Sequence, residues 1–226
     1  MHIGPNIVKD GLALALDATS IRSWTPGAST WYDLSGNGNH AIASGSPSTQ
    51  DSGSPVRNIF FDGTNDRFTV TANETSLSFK QGQTVGILMY HTFTSGRKNP
   101  WNQAYGGYGT WTHESGGSIN YYHGTSGGNA APYTSRNSGT TPRSTWNYMV
   151  MSRDTSNVTW YKNGIQTSQG TSYDLSSVNT TANITIGQGY AGWWLGNMVL
   201  VHAYTRGLTS TEVQQNYNAY KNRFNI

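Results

Sequence analysis

The sequence contains no cysteine, and only 11% of its 226 residues are charged. The absence of cysteine excludes disulfides, thiolate catalysis and sulfur-ligated zinc. No apolar run approaches the roughly 18 residues of a membrane helix, and the opening "MHIGPNIVKDG" lacks the apolar region of a signal peptide. We therefore expect neither a membrane partner nor a secretory route.

Clusters of basic residues are also missing. The 14 Lys and Arg residues outnumber the 11 acidic residues and give a net charge of +3, but the densest basic run is Arg97-Lys98. A surface that binds nucleic acid needs its positive charges concentrated on one face. The sequence therefore gives no reason to expect a nucleic-acid partner.

Glycine and aromatic residues are abundant instead, with 27 Gly, 14 Tyr and 8 Trp. This composition favours short strands joined by many turns, and the length suits one β-sandwich. In "GLALALDA" the alternation sets Leu12, Leu14 and Leu16 on one face and two alanines on the other, which predicts a strand covered on both sides. In "RFTVTA" the alternation predicts a half-exposed strand.

Two hairpins and one helix can be located from local signals. Residues 154–157 and the pair Asn163-Gly164 are turn sequences between strand-like runs. Near the C-terminus, Thr209 and Glu212 have the spacing of a capping box. An apolar stripe of Val213, Tyr217 and Tyr220 then predicts a short helix docked on the sandwich.

The region 95–145 combines Gly, Ser, Thr and Asn with many aromatic residues, so we expect short strands and long loops rather than a disordered linker. Sugars present apolar C–H faces with a rim of hydroxyl groups, which suits aromatic platforms ringed by amides. The same residues would also suit a protein–protein contact or the core of the sandwich. The candidate glycan- or partner-binding residues are Trp101, Tyr105, Tyr108, Trp111, Tyr121 and Tyr122.

The stretch "TWYDLSGNGNHA" allows two interpretations. Its Asp and Ser side chains can accept backbone N–H groups nearby, and its glycines tolerate positive φ, so it can form a turn that satisfies its own polar groups. Alternatively, oxygen ligands from this turn and from "DGTND" could converge on calcium, which needs about six to eight oxygen atoms. The candidate ligands are Asp33, Asn37, Asp62 and Asp66.

A catalytic centre is not expected. Glycosidases use two carboxyl groups, and no two acidic residues stand two positions apart in this chain. Glu114 is the one glutamate in the aromatic-rich region, where it suits a surface carboxylate or the partner of an arginine. His113 and His123 beside it are expected to be ordinary hydrogen-bonding residues, and His91 and His202 to lie in the core or on a sheet face.

Several blocks together resemble a known family. They are "IGPNIVKDGLALALDA", "TWYDLSGNGNHA", "FFDGTNDRFTV", "WNYMVMSRDTSNVTWYKNG", "ITIGQG" and "RGLTSTEVQQNYNAYKNRF". In this order they are similar to the laminin-G-like jelly rolls of the concanavalin A-like lectin/glucanase superfamily, in particular those of tailed-bacteriophage structural proteins. The resemblance implies an all-β, two-sheet antiparallel jelly-roll sandwich with a short C-terminal helix, forming a single domain over residues 1–226.

The resemblance also implies a non-enzymatic structural or binding module. We expect a virion surface protein of a tailed phage, made in the host cytoplasm, that decorates the capsid or forms part of a fibre or tail. Its expected partners are other virion proteins, further copies of itself in a homo-oligomer, and host surface glycans, with residues 1–8 as an anchoring arm or a first edge strand. The alternatives are a lectin-like module unconnected with a virion and, less favoured, a glycoside hydrolase.

Overall fold

A computed structural model describes residues 6–49, 57–103, 109–124, 133–171 and 182–226. This part of the chain forms mainly short strands and one helix, α1 (Ser210–Phe224). The strands are, in chain order, β1 (Leu12–Asp17), β2 (Thr30–Trp31), β3 (Ala41–Ser44), β4 (Ile59–Asp62), β5 (Arg67–Val70), β6 (Gln83–Tyr90), β7 (Lys98–Asn102), β8 (Thr110–His113), β9 (Ser118–Gly124), β10 (Tyr133–Thr140), β11 (Asn147–Arg153), β12 (Asn157–Lys162), β13 (Ile165–Thr171), β14 (Ile184–Ile186), β15 (Gln188–Gly189), β16 (Gly192–Trp193) and β17 (Leu195–Tyr204).

These strands build two antiparallel sheets and one small hairpin. The seven-stranded sheet has the order β1-β17-β6-β11-β12-β13, with β4 also paired to β17. The eight-stranded sheet has the order β10-β9-β8-β7-β14-β5-β3-β2, and β15 pairs with β16. The two-sheet jelly-roll sandwich and the C-terminal helix predicted from the sequence are confirmed.

The central strands of the seven-stranded sheet are buried on both faces. One face meets the eight-stranded sheet across the main core, which contains six tryptophans. The other face packs against α1 and the preceding chain in a second core that includes Leu88, Tyr148 and Val213. Double burial explains why β6 and β11 contain continuous apolar runs, at residues 87–90 and 148–151, because residues that point in either direction must leave water.

Helix α1 begins as the sequence predicts. The Thr209 side chain accepts the N–H of Glu212, and the Glu212 side chain accepts the N–H of Thr209. Arg206 adds an ion pair to the Glu212 carboxylate. The helix ends at Phe224, with Asn225 in the left-handed conformation at φ 53°. The buried stripe differs slightly from the predicted one, because Phe224 belongs to it and Tyr217 is only partly buried.

A bulge in β1 corrects one prediction. The pairing of β1 with β17 shifts between Leu12 and Leu14, so that Ala13 is an extra residue in its strand. Leu12 therefore packs beneath α1, whereas Leu14 and Leu16 lie in the main core. Strict alternation had predicted that the three leucines share one face of the strand. In the structure they do not.

The turn after β2 forms hydrogen bonds with the bulged part of β1. The Asp33 carboxylate accepts the backbone N–H groups of Ala15 at 2.8 Å, Ser35 at 2.9 Å and Asn39 at 3.0 Å. The Asn39 side chain donates to the carbonyl of Ala13, the extra residue, at 2.8 Å. Gly36 and Gly38 take positive φ values of 97° and 72°, which lets the turn wrap around the carboxylate. The segment is thus a turn that satisfies its own polar groups and holds β1.

Other local predictions are confirmed in the described residues. The residue 154–157 turn is closed by the Asp154 N–H, which donates to the Asn157 carbonyl at 3.0 Å. Asn163 and Gly164 both take positive φ, as a primed hairpin turn requires. No helix within the described ranges is long and apolar enough to cross a membrane.

Only part of the N-terminal arm lies in the described residues, which begin at Asn6. The Val8 N–H donates to the Asn216 side chain at 2.8 Å, and the Gln215 side chain donates to the Asn6 carbonyl at 2.7 Å. This described part of the arm therefore docks on α1 of its own chain. Anchoring to a neighbouring subunit stays a prediction.

We predict that Asp33→Ala lowers the free energy of unfolding by about 2–4 kcal/mol, because it leaves several buried N–H groups without an acceptor. Chemical denaturation measures the change, with Asp154→Ala as the control, since Asp154 caps an exposed turn and is not a candidate calcium ligand. The loss should be the same in EDTA and in excess Ca²⁺. A loss that appears only with Ca²⁺ would show that Asp33 acts as a calcium ligand instead.

The Glu212 carboxyl generates a second prediction. Hydrogen bonds from Arg206, opposed by burial, lower the pKa of Glu212 from 4.5 to about 2. Its stabilising effect is therefore complete above pH 4.5 and is lost as the pH falls through 2. Glu212→Gln should cost roughly 1 kcal/mol near neutral pH, and the difference from wild type should shrink as the pH falls through this window.

Urea denaturation at a series of pH values measures this difference. Glu74→Gln is the matched control because Glu74 is exposed. A Glu212→Gln difference that stays constant from neutral pH to pH 2 would contradict the role of the ionised carboxylate.

Candidate functional site

A small hairpin lies on the eight-stranded sheet at the end where β5 and β7 begin. The N–H of Ala191, in the turn between β15 and β16, donates to the Asn99 side chain at 2.7 Å, and Asn99 donates in turn to the Trp111 carbonyl at 2.8 Å. A Cβ atom at Gly189 would stand 2.5 Å from Asn99, so glycine permits this close approach. We call the surface around this hairpin the hairpin platform, formed by Arg67, Arg97, Glu114, Asn120, Tyr122, Tyr190 and Trp193.

An ion pair forms one side of the hairpin platform. Arg97 precedes β7 and Glu114 follows β8, so the pairing of these strands brings the two side chains together. The Arg97 Nε and Nη2 atoms donate to the two carboxylate oxygens at 2.8 and 3.1 Å. This hydrogen bonding, opposed by burial, raises the pKa of Arg97. The sequence-based expectation that Glu114 partners an arginine is confirmed.

Strand β9 adds an amide and a phenol to the same carboxylate. Asn120 and Tyr122 are two positions apart and therefore point to the same face of the sheet. The Tyr122 hydroxyl donates to Glu114 at 2.9 Å, and the Asn120 amide lies 3.3 Å from that hydroxyl and 3.4 Å from the carboxylate. Burial is the main cause that raises the pKa of Tyr122, which therefore remains a hydrogen-bond donor at neutral pH. The result is an ordered group of donors and acceptors.

Two aromatic rings of the hairpin complete the surface. Tyr190 is 47% exposed, and the Arg97 guanidinium carbon lies 5.4 Å from its ring centroid. Trp193 is partly exposed, and the Arg67 guanidinium carbon lies 5.8 Å from its ring centroid. These distances are those of cation–π contacts, so each ring lies against one arginine side chain.

The structure corrects the predicted aromatic platform. Trp101, Trp111 and Tyr121 stand side by side on neighbouring strands, but all three point into the main core and are at most 1% exposed. Alternation places their neighbours Asn120 and Tyr122 on the outer face, so Tyr122 alone of these four predicted aromatics borders the surface. Tyr105 and Tyr108 lie outside the described residues.

The histidines do not join the hairpin platform. His113 points inward, opposite to Glu114, and packs 4.5 Å from His91 and 4.7 Å from Phe93, measured between ring centroids. Burial lowers the pKa of His113 to about 4, so the ring is neutral at pH 7. His123 contacts the Tyr121 hydroxyl at 3.0 Å inside the sandwich. His91 and His202 are core residues, as expected.

The four candidate calcium ligands serve as acceptors and donors within turns. Asp66 accepts the N–H groups of Ser46 at 2.7 Å and Asp62 at 3.0 Å, while Asp62 accepts that of Thr64 at 2.7 Å. The Asn37 amide donates to the Leu12 carbonyl at 2.9 Å. Across the described ranges, no group of three or more His, Asp or Glu side chains is placed to hold a metal ion. Calcium binding by these residues stays a prediction.

A second surface feature is less suited to a ligand. A groove of about 560 Å³ separates α1 from the β12–β13 hairpin and is lined mainly by hydroxyl and amide side chains. Tyr161 lines this groove, but it is only 5% exposed. The hairpin platform therefore has the stronger combination of an exposed ring and fixed polar groups.

Sequence reasoning missed Tyr190, Trp193, Arg67 and Asn120. The available signal was the segment "GQGYAGWWLG", in which glycines flank aromatic residues as in a tight hairpin. The contribution of Arg67 could not be found this way, because Arg67 is distant in sequence and meets Trp193 only through the pairing of β5 with β14.

Comparisons with known proteins agree with this architecture. The binding domain of Paraclostridial Mosquitocidal Protein 1 is similar with a TM-score of 0.75 and 17% identity over 95% of this chain and 53% of that one. The binding domain of botulinum neurotoxin DC, solved in complex with rat synaptotagmin II, has a TM-score of 0.74 and 12% identity over 95% and 53%. The chain thus spans about half the length of these domains.

No curated protein matches the chain. The structural relatives named here are toxin binding domains, so the resemblance to tailed-phage proteins rests on the sequence blocks alone. Residues 62–214 match the family described as the concanavalin A-like lectin/glucanases superfamily, and they cover more than half of the chain. The chain belongs to the concanavalin A-like lectin/glucanase superfamily.

Proposed function

We propose that this chain is a saccharide-binding module whose ligand lies on the hairpin platform. The observation that carries the proposal is the exposed ring of Tyr190 beside the ordered Arg97, Glu114, Asn120 and Tyr122 side chains. Membership of a superfamily that includes lectins supports it, although a fold alone does not specify a ligand.

The chemistry of the hairpin platform matches that of a sugar. The apolar C–H face of a pyranose packs on the Tyr190 ring, and its hydroxyl groups exchange hydrogen bonds with the neighbouring carboxylate, amide and phenol. Glu114 is already held by both Arg97 and Tyr122. Its orientation is therefore fixed before the ligand arrives, which reduces the entropy lost on binding.

Structural relatives provide further support for a binding role. Cell entry of botulinum neurotoxin type C depends on interaction with two ganglioside molecules, according to the description of one solved structure. That structure is 14% identical to this chain over 94% of this chain and 52% of that one, with a TM-score of 0.72. A neurotoxin DC binding domain has been solved with SialylT. Because the chain spans about half of these domains, their ligands only suggest a saccharide here.

A binding module rather than an enzyme is part of the proposal. Glycosidases need a second carboxyl group about 5–9.5 Å from the first. Among the described residues, the strands around Glu114, β7 to β10, carry no Asp or Glu that could supply it. Release of reducing sugar from a bound glycan would instead favour the glycoside hydrolase alternative.

A place on the surface of a tailed-phage virion, as a homo-oligomer that touches host glycans, remains our proposal for the biological context. Its support is the resemblance of the ordered sequence blocks to phage structural proteins. Mass spectrometry of purified particles tests it. Absence of the protein from such particles would leave the lectin-like module unconnected with a virion as the preferred alternative.

We predict that Tyr190→Ala lowers saccharide affinity about 10-fold, which corresponds to about 1.4 kcal/mol, because it removes the stacking surface. A glycan array that finds a ligand, followed by calorimetry, measures the change. Tyr32→Ala is the matched control, since Tyr32 is 49% exposed but follows β2, the edge strand that lies three strands from β14.

Thermal unfolding of both variants verifies that the fold is intact. Equal losses of affinity in Tyr190→Ala and Tyr32→Ala would place the ligand elsewhere. Failure of the folded wild-type protein to bind any saccharide on the array would overturn the proposed function.

A further inference from the structure

Arg67 is a cation without a carboxylate partner on the hairpin platform. It is the first residue of β5, pairs with Ser44 of β3, and places its guanidinium carbon 5.8 Å from the Trp193 ring centroid. Its Nε atom is buried and has no hydrogen-bond partner. Among the described residues, the ion pairs are formed by Arg97, Arg206 and Arg223, not by Arg67.

The acidic residues closest in sequence are already engaged. Asp66 accepts the N–H groups of Ser46 and Asp62, and Asp62 accepts those of Thr64 and Asn65. These carboxylates hold the turn before β5 and form no ion pair with Arg67. Within the part of the chain that the structure describes, this partly buried guanidinium therefore lacks the anion that normally offsets the cost of its desolvation.

The two arginines of the hairpin platform differ in this respect. Arg97 donates to both oxygens of Glu114, so its charge is compensated within the chain. Arg67 has the same kind of aromatic contact, but no carboxylate of the described residues forms an ion pair with it. A ligand that lies along the platform therefore meets a neutralised pair at one end and an uncompensated positive charge at the other.

The distance between these two ends suits an oligosaccharide. Strand β14 lies between β5 and β7, so Arg67 and the first residues of β7 are two strand spacings apart, or about 10 Å. A ligand of two or more sugar units can therefore contact the Tyr190 ring and the Arg67 guanidinium together.

We infer that Arg67 and Trp193 bind the acid group of an acidic saccharide, with the guanidinium on its oxygen atoms and the indole ring against the sugar. The inference rests on the proposed function and specifies its ligand class. A guanidinium donates two parallel N–H groups to a carboxylate or a sulfate, which gives short, charge-assisted hydrogen bonds. The two acid groups share this chemistry and are separated by the experiment.

The experiment is a glycan array with neutral, carboxylated and sulfated saccharides, followed by calorimetry on matched pairs such as a uronate and its methyl ester. Wild-type protein should bind the acidic member at least about 10-fold more tightly than the neutral one, and added salt should weaken this preference. Comparison of the carboxylated with the sulfated ligands identifies which acid group is bound.

Arg67→Gln should bring the ratio of acidic to neutral affinity close to one. Lys9→Gln is the control, because it removes one exposed positive charge at the other sheet and should leave the ratio at its wild-type value. Arg67→Lys retains the charge but loses the paired donors, so it should recover only part of the preference. It also serves as the test variant if Arg67→Gln does not fold.

The outcomes separate this inference from the proposed function. Binding of neutral saccharides alone, or an acidic preference that survives in Arg67→Gln, overturns the inference while Tyr190-dependent binding stands. Equal losses of the preference in Arg67→Gln and Lys9→Gln would show that net charge, rather than Arg67, selects the ligand. Absence of all saccharide binding overturns both proposals.

Discussion

Burial of both faces of the seven-stranded sheet is the constraint on which the rest of the structure depends. Strands β6, β11 and β17 are buried at nearly every position and carry apolar runs at residues 87–90, 148–151 and 198–201, so neither face can be left in water. The eight-stranded sheet covers one face, and α1 covers the other. The capping box of α1 and the docking of residues 6–8 on this helix therefore support the sheet as well as the helix.

The outer face of the eight-stranded sheet is open to solvent only in part. Thr110 and Thr112 of β8 are buried there, whereas Asn120, Tyr122 and Arg67 are partly exposed. On β9 the same alternation that buries Tyr121 turns Asn120 and Tyr122 outward, next to Glu114. One aromatic-rich segment thus contributes to the core and to the surface, and its two tryptophans, Trp101 and Trp111, belong to the core.

The sequence predicted the fold better than the site for a physical reason. Turns, caps and alternation depend on neighbouring residues, so the Asn163-Gly164 turn and the Thr209 capping box could be recognised from local patterns. Alternation does not say which of two faces is buried, so the sequence left open whether Trp101 and Trp111 belong to a surface platform or to the core. A period-two pattern also cannot reveal the extra residue in β1. The polar turn around Asp33 that contacts this residue was recognised from the sequence.

The residues of the hairpin platform could not be predicted from local sequence, because strand pairing brings them together. Tyr190 and Trp193 are adjacent to their arginines only because β15 and β16 fold onto the start of β7, where Asn99 holds the Ala191 N–H. Arg67 and Arg97 are both arginines that contact an aromatic ring, yet Glu114 compensates the charge of Arg97 only. The asymmetry of charge across the hairpin is therefore a property of the folded chain, and it makes the end at Arg67 the one where an anionic group of a ligand gains most.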